Sequence, residues 1–503
     1  MTNHLFNGLL ETGLAAPERR FAVLTNGESF TYGDLDTMSA RMANVLVASG
    51  VEPGDRVAVQ VEKSVQALVL YVATVRAGAA FLPLNTGYTP SEIAYFLTDA
   101  APRVFVCDPG LQDTLSEIAD KAGAAVLTLG RSGKDGTLAE QARNAAATFA
   151  PVPRGADDLA AILYTSGTTG RSKGAMLSHE NLLSNARVLK DTWAFTPDDV
   201  LLHCLPIFHT HGLFVATNTA LVSGAALIFL PKFDLDEIFV QMPRATSMMG
   251  VPTFYTRMLT DARLTRELAG HMRLFTSGSA PLLADTHVAF EKRTGQRILE
   301  RYGMTETNMN TSNPYEGERR AGTVGFPLKG TEVRIVGKET GQLLPDGEIG
   351  VIEVKGPNVF SGYWKMPEKT AAEFREDGFF ITGDLGVVDP DGYLTIVGRD
   401  KDLVISGGYN VYPKEIEAFV DEFPGVVESA VIGVPHPDFG EGVVAIVVAE
   451  RPIEESALLA SLQGHLAKYK QPKRVMFVDE LPRNTMGKVQ KNLLRDAYSG
   501  LFS

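Results

Sequence analysis

Residues 159–178 read LAAILYTSGTTGRSKGAMLS. The apolar run 159–164 has the length and composition of a buried strand. It feeds into Thr165-Ser166-Gly167-Thr168-Thr169-Gly170-Arg171-Ser172-Lys173-Gly174, which holds five hydroxyls, three glycines and a lysine in ten residues. Glycines let the backbone curve with its N–H groups turned inward. Hydroxyls donate to phosphate oxygens, and Lys173 adds a compact positive charge. A strand delivering such a loop predicts a polyphosphate cradle. It is not a Walker loop, because Ser172-Lys173-Gly174 stands where Gly-Lys-Ser/Thr would be required.

Working outward, strands are predicted at 57–61, 104–107 and 225–230, with a helix at 64–77. Strands alternating with helices imply a mainly parallel sheet covered on both faces, running to about residue 320. Between 131 and 156 the pattern fades and a surface connection is expected. From Thr323 the texture changes to short strands, 333–336 and 351–355. Turns at Pro345-Asp346-Gly347 and Asp389-Pro390-Asp391-Gly392 punctuate them, as in a small barrel-like β region. Beyond Arg399, strands at 430–434 and 443–449 precede a helix carrying Leu458, Leu462, Leu466 and Tyr469. The reading is an α/β protein with a large N-terminal domain of layered sheets over 1–398, a hinge at 399–402 and a small α+β domain over 403–503.

A chain of 503 residues exceeds one hydrophobic core. Its net charge of −13 argues against nucleic-acid or anionic-membrane partners. Cys107 and Cys204 are far apart, with no disulfide framework or zinc spacing. The N-terminus has no signal-peptide pattern. The most apolar helix-like stretch, 67–75, is interrupted at Arg76, short of the ~20 residues a membrane span needs. A soluble cytoplasmic enzyme is expected.

TSGTTGRSKG resembles the phosphate loop of the acyl-adenylate-forming enzymes: acyl-CoA synthetases, luciferases and peptide-synthetase adenylation domains. The family's other motifs follow in order along nearly the whole chain. By that resemblance Thr165, Ser166, Gly167, Thr168, Thr169, Gly170 and Lys173 bind the phosphates of ATP. Glu300-Arg301-Tyr302-Gly303-Met304-Thr305-Glu306 resembles the second signature. It implies Glu306, with Thr165, as the Mg²⁺ site, Thr305 on the α-phosphate and Tyr302 beside the adenine. Ser277-Gly278-Ser279-Ala280 resembles the adenine-side loop. Thr382-Gly383-Asp384 resembles the ribose motif, with Arg399 assisting Asp384.

Residues 482–488, PRNTMGK, resemble the C-terminal catalytic loop, which makes Lys488 the catalytic lysine of adenylation. A carboxylate attacking the α-phosphate brings two anions together, and a bridging cation is worth about 4 kcal/mol at ~4 Å and an effective dielectric of ~20. The family resemblance further implies that the small domain rotates between two half-reactions. Lys401 is then the hinge, and Gly407, Gly408 and Tyr409 line a tunnel for the arm of coenzyme A.

The acid is expected to sit near Leu205-Pro206-Ile207-Phe208-His209-Thr210-His211-Gly212, with His209 in the pocket. HTHGLF, MGVPTFYTRML, HMRLFTSGSAPL and ERYGMTETNMNTSNPY resemble the malonate-activating branch, which implies malonate with methylmalonate tolerated. A buried second carboxylate needs a partner, and an arginine fork suits it. Arg273 is the first candidate and Arg257 the second. Ser277, His209 and Met304 complete the pocket, and Met309 helps close it. Other small acids, a carrier-protein thiol as acceptor, and a nucleotide sensor without chemistry remain alternatives.

Overall fold

The sheet that carries the glycine-rich segment has seven strands. From one edge they run Gly362–Tyr363, Lys173–Ser178, Leu159–Thr165, Ala80–Pro83, Arg56–Gln60, Val104–Cys107 and Ala125–Thr128. The last five pair in parallel. Val57, Ala58, Phe105 and Ile162 are wholly buried, as expected where helices cover both faces. This computed structural model describes residues 2–502 except 166–171, 408, 464 and 485–486. The chain forms two compact units, Met1–Val333 with Val354–Phe380, and Arg334–Glu353 with Ile381–Ser503.

A second sheet in the first unit has nine strands, of which Ala226–Phe229, Val200–His203, Ser247–Gly250, Leu274–Ser277 and Ile298–Met304 are consecutive parallel neighbours. The antiparallel Asn308–Ser312 follows at the far end. Helix Val65–Arg76 is buried along its whole length and belongs to the main core cluster. That explains its all-round apolar sequence. It starts where predicted because the Ser64 hydroxyl accepts from Ala67 N at 3.1 Å. Arg76, which ends the apolar run, is buried but satisfied by the Asp36 carboxylate at 2.7 Å and by the Phe149 carbonyl.

In the second unit, Glu332–Val336, Gly350–Lys355, Phe380–Val388 and Leu394–Arg399 make a four-stranded sheet, its first residues lying at the unit boundary. Val426–His436 and Gly440–Ala449 form the long hairpin of a separate five-stranded sheet. Leu403 and Tyr412 pack on Val336, Val351 and Leu385. Hence 399–402 lies inside this compact unit, which also takes in 334–353 and 381–398.

Two local expectations differ from what is found. Residues 131–156 include a helix, Thr137–Asn144, which buries Leu138, Ala139 and Ala142 through a short apolar face in a polar segment. The helix expected to carry Leu458, Leu462, Leu466 and Tyr469 spans only Glu455–Ser461. A glycine at 464 weakens continuation by about 1 kcal/mol, yet Leu462 and Leu466 stay buried.

Candidate active site

Strand Leu159–Thr165 returns as strand Lys173–Ser178, with Thr165 paired to Lys173 and the Thr165 hydroxyl 3.4 Å from the Lys173 carbonyl. The two strands that flank the phosphate-loop segment therefore pair antiparallel, whereas a Walker loop leads from its strand into a helix. Ser166, Gly167, Thr168, Thr169 and Gly170 lie outside the described residues.

The Lys173 ammonium is 3.3 Å from Glu373 Oε1 and 4.1 Å from the centre of the Tyr363 ring. The Tyr363 hydroxyl lies 2.7 Å from Glu373 Oε2 and 3.1 Å from Glu306 Oε1. Lys173 and Glu306, which are 133 positions apart in sequence, thus share one network through Tyr363 and Glu373. Burial would raise the Glu373 carboxyl, but Lys369, Tyr363 and Lys173 outweigh it and hold the group below its usual range. Burial and the two carboxylates push the Tyr363 phenol far up, so it stays a donor.

Glu306 is set by the turn between Ile298–Met304 and Asn308–Ser312. Asn358 pins that turn by donating to Thr307 O at 2.7 Å, and Phe360 N donates to Glu306 O at 2.7 Å. Asn308 takes the left-handed conformation the turn demands, with φ 51°. Thr305 and Met304 are half-buried beside it.

At the end of strand Leu274–Ser277 the chain turns through Gly278 and Ser279. A Cβ on Gly278 would sit 2.1 Å from Arg301 Nη1, so only glycine lets this guanidinium lie against the backbone. Ser279 has φ 70°, and its hydroxyl is 3.2 Å from His211 Nδ1. His211 N lies 3.4 Å from His209 Nδ1. His211 begins a wide-turn helix, His211–Thr217, a form that recurs at functional sites.

Arg301 is 3 % exposed, and its Nε and Nη2 have no hydrogen-bond partner among the described residues. The same holds for His211 Nε2 and the Ser277 hydroxyl. Burial lowers Arg301 to about 10, so it remains a cation at neutral pH. Burial, then the charge of Arg301, holds His211 neutral. The result is an enclosed cation with unused donors beside an imidazole and a serine, a chemistry that suits an anionic group.

The other predicted residues fall as follows. Glu300 pairs with Ser277 across adjacent strands, and its carboxylate is engaged by His287 Nδ1 and Gly322 N, both at 3.1 Å. Tyr302 and Gly303 continue the strand, and Ala280 follows Ser279. Arg273 is a correction. Its fork holds Asp199 at 2.6 and 2.8 Å and Trp193 O at 2.8 Å. It precedes strand Leu274–Ser277, so four residues of strand, about 13 Å, separate it from Ser277. Arg257 lies on helix Pro252–Leu259.

In the second unit, antiparallel pairing sets Asp384 opposite Arg399, with Arg399 Nε 2.6 Å from Asp384 Oδ1. The Thr382 hydroxyl accepts from Asp384 N and donates to Ile352 O, fixing the turn at Gly383. Lys401 lies in the 3₁₀ turn Asp400–Asp402, and burial with nearby Arg399 and Arg495 lowers it to about 8. Gly407 has φ 60°, and Tyr409 stacks on Tyr469 at 4.6 Å; Gly408 lies outside the described residues. Lys488 is exposed, and its N–H and carbonyl clasp Asn484.

Two partners escaped the sequence reading, Tyr363 and Glu373, while His211 was read only as part of the acid segment. The only available signal was the pair of hydrogen-bonding side chains ten residues apart in GYWKMPEKTAAE, and nothing local ties it to Lys173.

Two lobes, a hairpin-borne glycine loop and a carboxylate turn define a nucleotide-dependent acid-activating class, and the chain belongs to the AMP-binding enzyme family. The family model matches residues 10–364, and the AMP-binding enzyme C-terminal domain matches 415–488. ATP-bound MatB from Rhodopseudomonas palustris is 61% identical with a TM-score of 0.98, each chain being covered in full. Malonate–CoA ligase of Arabidopsis thaliana is 34% identical over 98% of this chain and 90% of its own length. Feruloyl-CoA synthase of an Amycolatopsis species is 37% identical over 94% and 95%.

Proposed function

We propose that this chain is an ATP-dependent acid:CoA ligase that converts malonate to malonyl-adenylate and pyrophosphate, then to malonyl-CoA and AMP, with methylmalonate tolerated. Overall identity favours this acid, since MatB is 61% identical over both full chains while a feruloyl-CoA synthase is 37% identical. The pocket supports the same acid. The observation that carries malonate is Arg301, a buried cation with unused donors beside His211 and Ser279. A monocarboxylate would leave that charge unpaired, at a cost of several kcal/mol.

Glu306 suits Mg²⁺, which takes one or two protein carboxylates and otherwise phosphate and water oxygens. Thr165, on the strand entering the loop, is its second candidate. Held there, Mg²⁺ would supply neutralisation of phosphate charge. Lys173 and the loop hydroxyls stabilise the departing pyrophosphate. Thr305 bonds the α-phosphate, Asp384 with Arg399 takes the ribose, and Lys488 bridges carboxylate and α-phosphate in the first half-reaction. Rotation about Lys401 then brings Gly407, Gly408 and Tyr409 to the arm of coenzyme A. AMP formation measured with malonate, methylmalonate, succinate and acetate tests the reading. A preference for acetate would overturn the malonate assignment, and no AMP with any acid would overturn the reaction.

A further inference from the structure

Lys173 opens the strand that leaves the phosphate-loop segment, and its ammonium is already held by an anion of this chain. Glu373 Oε1 lies 3.3 Å from it, and both side chains are 20 % exposed, so the pair is sheltered without being sealed from a ligand. The same oxygen is 2.7 Å from the ammonium of Lys369, one helical turn earlier. Glu373 Oε2 accepts from the Tyr363 hydroxyl at 2.7 Å. Burial opposes ionisation of this carboxyl, but Lys369, Tyr363 and Lys173 outweigh it and keep it an anion.

The edge strand brings Glu373 to this place. Tyr363 pairs with Ala175, and Trp364 N donates to Gly174 O at 2.7 Å, next to Lys173. Tyr363 N donates to the Thr370 hydroxyl at 2.9 Å, which folds helix Pro367–Ala372 back on that strand. Glu373 is the first residue after the helix. The Tyr363 ring, 4.1 Å from the ammonium, covers a further side of it. A carboxylate on Lys173 uses the same N–H donors that a phosphate oxygen would use. The two anions therefore compete for one cation, and each repels the other.

We propose that Glu373 is an internal substitute for the polyphosphate, a positioning residue that holds Lys173 until the phosphates draw it away and takes it back as pyrophosphate leaves. This rests on the reading of Lys173 as a phosphate ligand of the nucleotide. Competition of this kind weakens ATP and pyrophosphate alike, and it keeps the product from lingering on the loop lysine. For one partly exposed cation the effect on affinity is about fivefold.

The probe is metal-free ATP, titrated calorimetrically in EDTA into the full chain without acid or coenzyme A. Pyrophosphate inhibition of malonate-dependent AMP formation is read beside it. Glu373→Gln should bind ATP about fivefold more tightly and lower the inhibition constant of pyrophosphate by a similar factor. Lys173→Met should weaken ATP about tenfold. Adding Glu373→Gln to Lys173→Met should then change affinity less than twofold, because the carboxylate acts through that lysine. Equal tightening in both backgrounds would assign the effect to loss of a negative charge in general and overturn the proposal. So would unchanged or weaker ATP binding by Glu373→Gln alone. No loss of affinity in Lys173→Met would overturn the phosphate role of Lys173 together with the proposal, which keeps the two failures apart. Glu373→Asp draws the carboxylate back by one methylene and should tighten ATP by less; it is judged by the same outcomes if Glu373→Gln shows no cooperative melt.

Discussion

Replacing Arg301 by Met separates the two things a buried arginine does. The side chain is 3 % exposed, and burial lowers its pKa from the ordinary arginine range to about 10, a penalty of about 3 kcal/mol on the cation. Without ligand nothing among the described residues bonds its Nε or Nη2, so Arg301→Met should leave the free protein at least as stable. With malonate the loss is large. Truncating one member of a buried, hydrogen-bonded charge pair costs about 2–5 kcal/mol, or roughly thirty- to several-thousand-fold in kcat/KM. Acetate, which has no second carboxylate, should change only a few-fold. The assay is pyrophosphate release with each acid, beside a thermal melt of the free enzyme. Arg273→Met is the control. Asp199, lodged in its fork, is 5% exposed, so that variant should lower the melting temperature and leave the malonate-to-acetate ratio alone. An unchanged ratio in Arg301→Met, or a shifted ratio in Arg273→Met, would refute the assignment.

Lys488→Ala should abolish malonyl-adenylate formation yet leave coenzyme A attack on supplied malonyl-adenylate nearly intact; single-turnover assays of each half-reaction check this, and equal loss of both steps would count against domain alternation. Glu306→Gln should lower adenylation about a hundredfold, ~2.7 kcal/mol, and raise the Mg²⁺ concentration needed for half-maximal rate; a variant with the wild-type Mg²⁺ curve would move the metal elsewhere. Burial raises Asp421 from 3.8 to about 6, partly opposed by Ser429. The native state therefore binds this proton more tightly than the unfolded chain does. The stability it gives is complete below about pH 4 and lost as pH rises through 6, leaving a deficit of up to about 3 kcal/mol. Asp421→Asn should raise the melting temperature at pH 7.5 and leave it unchanged at pH 4, and a gain at both would point to another cause.

Local pattern was enough to read four strands of the first unit, near 57–61, 104–107, 159–164 and 225–230, and the helix capped by Ser64, because each is decided by its own apolar residues or its own cap. Helix Thr137–Asn144 escaped because only three of its eight residues are buried. The site divides in the same way. Asp384 and Arg399 are neighbours across one antiparallel pair, so a motif and its helper sufficed. Lys173, Tyr363, Glu373 and Glu306 meet only after the sheet has brought the edge strand Gly362–Tyr363 against Lys173–Ser178, a pairing of segments nearly 190 positions apart.

The two arginines show where such reading stops. Both lie beside recognisable motifs, and both precede or occupy strands that end at the site. The strand alone does not say which end a residue occupies relative to the ligand, nor whether a distant acid has claimed it. Arg273 enters its strand at the amino end and meets Asp199, 74 positions away. Arg301 is the fourth of seven residues in its strand, one step past the carboxyl end of the neighbouring strand Leu274–Ser277, where Gly278 makes room for it. In a parallel sheet ligands gather at carboxyl ends. An arginine level with the carboxyl end of the neighbouring strand and facing a glycine is therefore the better candidate for an acid's second charge than one at the amino end.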